Sequence, residues 1–297
     1  MAREIWVLLT PSWTHRFAHD GLIVAAIRRD ARSWTGFWKR LFCSLVFSVA
    51  ALASSDGQIQ LYAATGFGGS TGELYVLNPA DGSVLQDVGP LNDAAGNNYG
   101  LTGLRYDPAS GLLYGITAGT SLTAPSSLVL VNPSDASVIY VGGPLGSRMS
   151  DIAIDWSTSI MYAVSGSSKY LYTVNKLTGI ATRAGNTTLP PQRGGGFTAD
   201  SSGVLYGTND KVLYTYDKTT GAATAIGNTN LLNYVDALAF SSTGVLYGIE
   251  GAGNSTGNGV TSIRERWLVV IDTATGAAVE LGSTVGNLNA LAFAPAP

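Results

Sequence analysis

The feature that most limits what this chain can fold into is a five-fold repetition of short words. The first word is LYAATG from Leu61, and it returns as LYGITAG from Leu113, MYAVSG from Met161, LYGTND from Leu205 and LYGIEG from Leu246. A second word follows each time: LYVLNPADG from Leu74, LVLVNPSDA from Leu128, LYTVNKLTG from Leu171, LYTYDKTTG from Leu213 and LVVIDTATG from Leu268. Each second word leads into a stretch of small and β-branched residues ending in glycine, such as AATAIG (222–227) or AAVELG (277–282). A fourth word closes the unit: LTGLRYDP (101–108), SDIAIDW (150–156), GGFTAD (195–200), VDALAF (235–240) and LNALAF (288–293).

Each word is a few β-forming residues bounded by Gly, Asn, Asp or Pro, which is the pattern of a short strand between turns. Four strands recurring every 40 to 50 residues predict an all-β, five-bladed β-propeller of four-stranded antiparallel blades over residues 56–297. The chain enters on a first-type word and leaves on a fourth-type word, LNALAFAPAP. That terminal strand is therefore predicted to lie beside Leu61, completing the first blade and hiding two sheet edges.

The turn after each second word has its own chemistry. Asn78, Asn132, Asn175, Asp217 and Asp272 can each accept from the backbone two residues on, and Gly82, Gly179, Gly221 and Gly276 can take a left-handed conformation that Ala136 interrupts in the second copy. The Leu, Tyr and Val positions leave little polar alternation, so both faces of each sheet should be covered by neighbouring sheets. The recurring tyrosines (Tyr62, Tyr114, Tyr162, Tyr206 and Tyr247) fit packing between blades better than a cofactor box.

With 45% hydrophobic residues, 12% charged residues and 37 glycines, the composition suits a large core with many turns. No basic run is present, so nucleic acid is not an expected partner. The first 55 residues stand apart: they hold both histidines, the only cysteine (Cys43), four of the six tryptophans and seven of the seventeen basic residues. Lys39 and Arg40 precede the apolar run LFCSLVFSVAALA (41–53), which ends on Ala51-Leu52-Ala53. A basic flank, an apolar run too short to span a bilayer comfortably and small residues at its end predict a signal peptide cut after Ala53, and hence a secreted or periplasmic propeller that meets a membrane only through that transient segment. The remainder carries ten basic and seventeen acidic residues, a net charge of about −7.

The unit L-A-F-x-x-x-(S/T)-G-x-L-Y-G, followed by L-Y-x-(I/V)-(D/N)-x-x-T-G, resembles the repeat of secreted bacterial β-propeller proteins of uncharacterised function, within the broad YVTN and quinoprotein-like groups. The resemblance covers residues 56–297 and implies fold and export. Its shared residues are turns and core, so it implies little about activity. The chain has no Trp-Asp blade ending, no regular paired-glycine kelch word and no sialidase-type box.

Loop lengths vary in two classes of connection that open on the same end of the ring, and function is usually carried by such loops on a rigid scaffold. Polar and aromatic candidates for a ligand-binding rim are Asn98, Tyr99, Arg148, Asp151, Arg193, Tyr234 and Asp236, joined by Glu250, Arg264, Arg266 and Trp267 from the longest loop, 250–266. Tyr99, Tyr234 and Trp267 could act as stacking surfaces. The competing reading is that these groups only hydrogen-bond loop backbone.

Without histidine or cysteine after residue 55, the propeller has no Ser-His-Asp triad, no thiol nucleophile and no ordinary zinc site. Asp151 and Asp236 fall at matching places in their words and could share a Ca²⁺ with Asn289, the one cofactor worth considering. Local turn capping is the simpler account of both. The expectation is a monomeric, non-enzymatic binding or scaffold module for a protein, glycan or cell-envelope component. The alternative is a calcium-assisted hydrolase, lyase or lactonase with Asp151, Asp236, Glu250 or Asn289 around the ion; the absence of a histidine proton shuttle, which the resemblance to such enzymes makes relevant, counts against it.

Overall fold

The computed structural model describes residues 58–191, 195–251 and 265–297. Within these, the chain is all-β: five four-stranded antiparallel sheets form the ring of a five-bladed propeller. The expected signal peptide, Arg193 and Arg264 lie outside the described residues.

Blade 1 contains β1 (Ile59–Thr65), β2 (Glu73–Leu77) and β3 (Val84–Pro90). Blade 2 contains β4 (Leu101–Asp107), β5 (Leu112–Thr117), β6 (Leu128–Val131) and β7 (Val138–Gly142). Blade 3 contains β8 (Met149–Asp155), β9 (Ile160–Ser165), β10 (Tyr170–Val174) and β11 (Ala181–Asn186). Blade 4 contains β12 (Phe197–Ala199), β13 (Leu205–Asn209), β14 (Val212–Tyr216) and β15 (Ala223–Asn228). Blade 5 contains β16 (Val235–Phe240), β17 (Leu246–Glu250), β18 (Arg266–Ile271) and β19 (Ala278–Thr284). The last strand, β20 (Leu288–Pro295), is the inner strand of blade 1.

The closure expected from the sequence is present: β20 runs antiparallel to β1, with Leu61 opposite Phe293 and Ile59 opposite Pro295. The inner strands β4, β8, β12, β16 and β20 each contact the next around the axis, and β16 meets β20 to complete the circle. Each inner strand is the edge of its own sheet, and the ring sets these five edges around one axis.

There is no single central core. The buried side chains fall into five clusters, each filling one junction between neighbouring blades. This is why both faces of every sheet are apolar. The repeated tyrosines belong to these junctions: Tyr62, Tyr114 and Tyr162 are buried in them, Tyr206 packs edge-on to Phe240 at 5.2 Å, and Tyr247 to Phe293 at 5.3 Å.

The Asx turns form as their residues dictate. Oδ1 of Asn78, Asn132, Asn175, Asp217 and Asp272 accepts from the backbone N–H two residues on, at 2.7 to 3.0 Å. In blade 2, Ala136 occupies the glycine position with φ 59° and its methyl group is buried between blades 1 and 2.

At the end away from the long loops, two lysines clasp neighbouring blades. Lys176 of blade 3 reaches Asp107 of blade 2 at 2.6 Å, and Lys218 of blade 4 reaches Asp155 of blade 3 at 2.8 Å. Burial opposes ionisation of Asp155, but hydrogen bonds from Lys218, Ser157 and Thr158 outweigh it and hold the carboxyl low. Asp107 is lowered in the same way by Lys176, Ser110 and the Ala109 N–H acting against burial.

Candidate functional site

Alternation of strand direction puts the variable connections at one end of the ring, where the inner strands begin. Four inner strands carry a bulge close to that end, as their pairing with the second strand of each blade shows. Thr102 is the extra residue between Leu101 and Gly103, Ser150 between Met149 and Asp151, Asp236 between Val235 and Ala237, and Asn289 between Leu288 and Ala290. By alignment of the words, Gly195 is their counterpart in blade 4. A bulge turns its extra residue out of the regular alternation, and these five residues line one cavity of about 300 Å³ at the mouth of the axial channel. Gly66, Gly68, Ala118, Gly119, Gly166, Thr120, Arg148 and Met149 complete the wall.

The pairing corrects one sequence expectation. Asp151 and Asp236 are not equivalent: the counterpart of Asp236 is Ser150, and that of Asp151 is Ala237. One residue of offset changes the surroundings of the side chain completely, because successive residues of a strand point to opposite sides.

Asp151 lies below the cavity in a buried pair with Arg105, Nη2 to Oδ2 at 3.4 Å. Its Oδ1 accepts from the Ile152 N–H at 2.8 Å and its Oδ2 from the Phe197 N–H at 2.9 Å. Arg105 donates to the carbonyls of Ile152 at 2.9 Å, Leu291 at 3.3 Å and Phe197 at 2.6 Å. Inner strands leave backbone groups facing the axis, where they need partners; this one ion pair supplies partners on blades 1, 3 and 4. The counterparts of Arg105 are Ala153, Thr198, Ala239 and Ala292, so one long side chain fills the space that four small ones leave. All five of these residues are buried, which closes the axis below the cavity. Burial pushes the Asp151 carboxyl up to about 7 against the pull of Arg105 and of the Phe197, Ile152 and Leu238 N–H groups, and burial pushes Arg105 down.

Asp236 lines the cavity, with Oδ2 taken by NH1 of the buried Arg266. Burial raises this carboxyl and Arg266 draws it back. Nδ2 of Asn289 donates to Thr102 Oγ1 at 2.9 Å, and Thr102 in turn donates to the Ser150 carbonyl at 2.8 Å, linking three blades. Of the residues expected to share a calcium ion, Asp236 and Asn289 therefore meet in the cavity and Asp151 does not. Among the described residues no three carboxylate, imidazole or thiol groups converge.

The other candidates disperse. Asn98 braces two loops, accepting from the Gly72 N–H at 2.6 Å and donating to the Gly72 carbonyl and Asn92. Tyr99 is buried, with its hydroxyl on Asp93 at 2.9 Å. Asp93 is held down to about 2 by Asn97, Tyr99 and the Ala95 N–H against slight burial, so the oxygen-rich stretch 92–98 is satisfied internally. Glu250 is buried; it accepts from the Asn233 N–H at 2.8 Å, and burial raises its pKa. Trp267 is partly buried against the core between blades 4 and 5, and Tyr234 is 38% exposed. Among the described residues no aromatic ring lines the cavity. Of the expected rim, Arg148 and Asp236 are brought together there. Thr102, Thr120, Ser150 and Gly195 were not singled out by sequence reasoning; Thr102 shares the second word position with Asp236 and Asn289, whereas Ser150 and Gly195 stand first in their words and align with them only through the strand pairing.

No family model and no curated protein matches the chain. Similar solved structures include a chain of a nidogen/laminin complex, 13% identical, covering 80% of this chain and 98% of that one with a TM-score of 0.49. A protein of unknown function from Bacteroides thetaiotaomicron is 12% identical over 76% of this chain and 58% of its own, with a TM-score of 0.47. A chain of Kuenenia stuttgartiensis hydrazine synthase is 17% identical over 63% and 49%, with a TM-score of 0.37. Resemblance at this distance transfers no activity or partner, and the fold stands on the strand pairing itself.

Proposed function

We propose that this chain is an exported, non-enzymatic binding module that receives its ligand in the blind cavity on the looped face. The observation that carries the reading is the convergence of five corresponding inner-strand positions, Thr102, Ser150, Gly195, Asp236 and Asn289, on one cavity. Four of the five are polar, whereas the other positions of the inner strands are mostly apolar or small. A volume near 300 Å³ is at the lower end of ligand sites. The calcium-assisted enzyme reading is weaker, since Asp151 and Asp236 already hold guanidinium partners. Export rests on the basic-then-apolar segment 39–53.

Thr120 lines the cavity and is exposed in the loop between β5 and β6, so Thr120→Trp should obstruct the mouth. The test is ligand-observed NMR against glycans, small polar metabolites and peptides, with wild type and T120W. A ligand lost in T120W at unchanged melting temperature supports the site. A ligand that binds both equally, or no ligand from any of these classes, refutes it.

A further inference from the structure

The groups around the cavity that have no internal partner carry information about what they recognise. Thr102 is already used, since its hydroxyl donates to the Ser150 carbonyl and accepts from Asn289 Nδ2. That bond orients the Asn289 amide: a hydroxyl that is donating elsewhere needs a donor, so Nδ2 faces Thr102 and Oδ1 is the free end. Among the described residues, Asn289 Oδ1, Asp236 Oδ1, Ser150 Oγ, Thr120 Oγ1 and the Arg148 guanidinium have no hydrogen-bond partner. Two are pure acceptors, two are hydroxyls and one is a cation.

Three ligand classes fit poorly. A phosphate or sulfate offers only acceptors and would set them against Asn289 Oδ1 and Asp236 Oδ1. An aromatic or aliphatic ligand needs apolar wall, and among the described residues Ala118 and Met149 are the only side chains of that kind beside the glycines. A cation would have Arg148 at the same mouth. A polyhydroxylated ligand, in contrast, can donate to the two acceptors and accept from or donate to the two hydroxyls. The charge of Asp236 is balanced by Arg266, which leaves Arg148, exposed and with its stem against Gly119, as the uncompensated charge of the cavity among the described residues. Arginine pairs preferentially with a planar, bidentate carboxylate. The space equals that of about ten water molecules, enough for one sugar ring and little more.

Building on the binding reading above, we propose that the ligand is a monosaccharide-sized hydroxy-carboxylate of the uronic-acid type, its carboxylate on Arg148 and its hydroxyls on Asn289, Asp236, Ser150 and Thr120. The same chemistry is offered by a free sugar acid and by one unit of an acidic polysaccharide.

The test is isothermal titration of the propeller with a free hexuronate, an oligouronide and the matching neutral hexose, using wild type, Arg148→Gln, Arg148→Lys and T120W. The expectation is binding of at least one acidic sugar, with the neutral hexose and the R148Q protein each weaker by about tenfold or more, R148K intermediate, and T120W abolishing binding. Binding by the oligouronide alone identifies the chain-borne unit as the source; equal binding identifies the free acid as sufficient. A neutral hexose that binds as well as the acid, or R148Q unchanged while T120W is silent, overturns the carboxylate proposal and leaves the cavity as the site. Acid binding that ignores T120W overturns the cavity itself. No binding by any of the three sugars overturns the ligand class, and unchanged melting of the variants keeps each result interpretable.

Discussion

The junctions between blades rest on backbone meeting backbone at glycine, and this makes a paired substitution informative. Gly221, in the turn of blade 4, has φ +79° and lies against the outer strand of blade 3, where Asn186 N donates to Thr220 O at 2.9 Å. A Cβ at Gly221 would sit 2.5 Å from the Gly185 carbonyl carbon and 2.8 Å from Asn186 N. These are main-chain atoms of a paired strand and cannot rotate away. Gly244 has nearly the same backbone, φ +83°, yet a Cβ there meets nothing within 4 Å. The left-handed conformation costs an alanine about 1–2 kcal/mol at either site. Only Gly221→Ala adds overpacking, about 1–3 kcal/mol. The expected losses are therefore about 2–5 kcal/mol for G221A and about 1–2 kcal/mol for G244A, read as midpoint shifts in urea unfolding at a common m-value. In thermal melts, at about 2–4 °C per kcal/mol for a domain of this size, G221A should fall by roughly 4–20 °C. If the two variants lose stability equally, the claim that glycine contact couples the blades is wrong. Blade 2 is a natural control: Ala136→Gly relieves the strain at φ 59° but removes a buried methyl group, and the two terms, each about 1 kcal/mol, should nearly cancel.

Further outcomes are expected elsewhere in the ring. Arg105→Met strands the buried Asp151 and three carbonyls and should cost about 3–5 kcal/mol in urea unfolding; a loss below about 1 kcal/mol would show that the axial pair does not brace the blades. Asp107 and Asp155 have folded pKa values below the unfolded one, so the stability they contribute is complete above about pH 4 and is lost as pH falls below it. Lys218→Met should flatten that acid loss, and an unchanged dependence of urea midpoint on pH between 2 and 5 would remove Lys218 from the account. Thr273 of blade 5 stands where blades 3 and 4 carry Lys176 and Lys218, and Asp200 of blade 4 matches their partners Asp107 and Asp155, so Thr273→Lys should add a third clasp. Its gain is expected to reach at most about 1 kcal/mol, because the pair is near the surface, and should diminish at high salt in the same unfolding assay.

Taken alone, the sequence determined the blade count, the strand order within each blade, the Asx turns and the ring closure. Each of these is local periodicity or the placement of a word at one end of the chain, and Leu61 opposite Phe293 follows from where the first and last words fall. The tertiary structure decided the site. A bulge shifts inner-strand register by one residue, which put Ser150, the counterpart of Asp236, into the cavity and turned Asp151 into the wall below. Only three-dimensional convergence shows that Arg105, one arginine among four small counterparts, reaches across the axis to three other blades. Residues from five remote words meet at the axis because the ring brings them there, and no spacing along a single unit encodes what they meet.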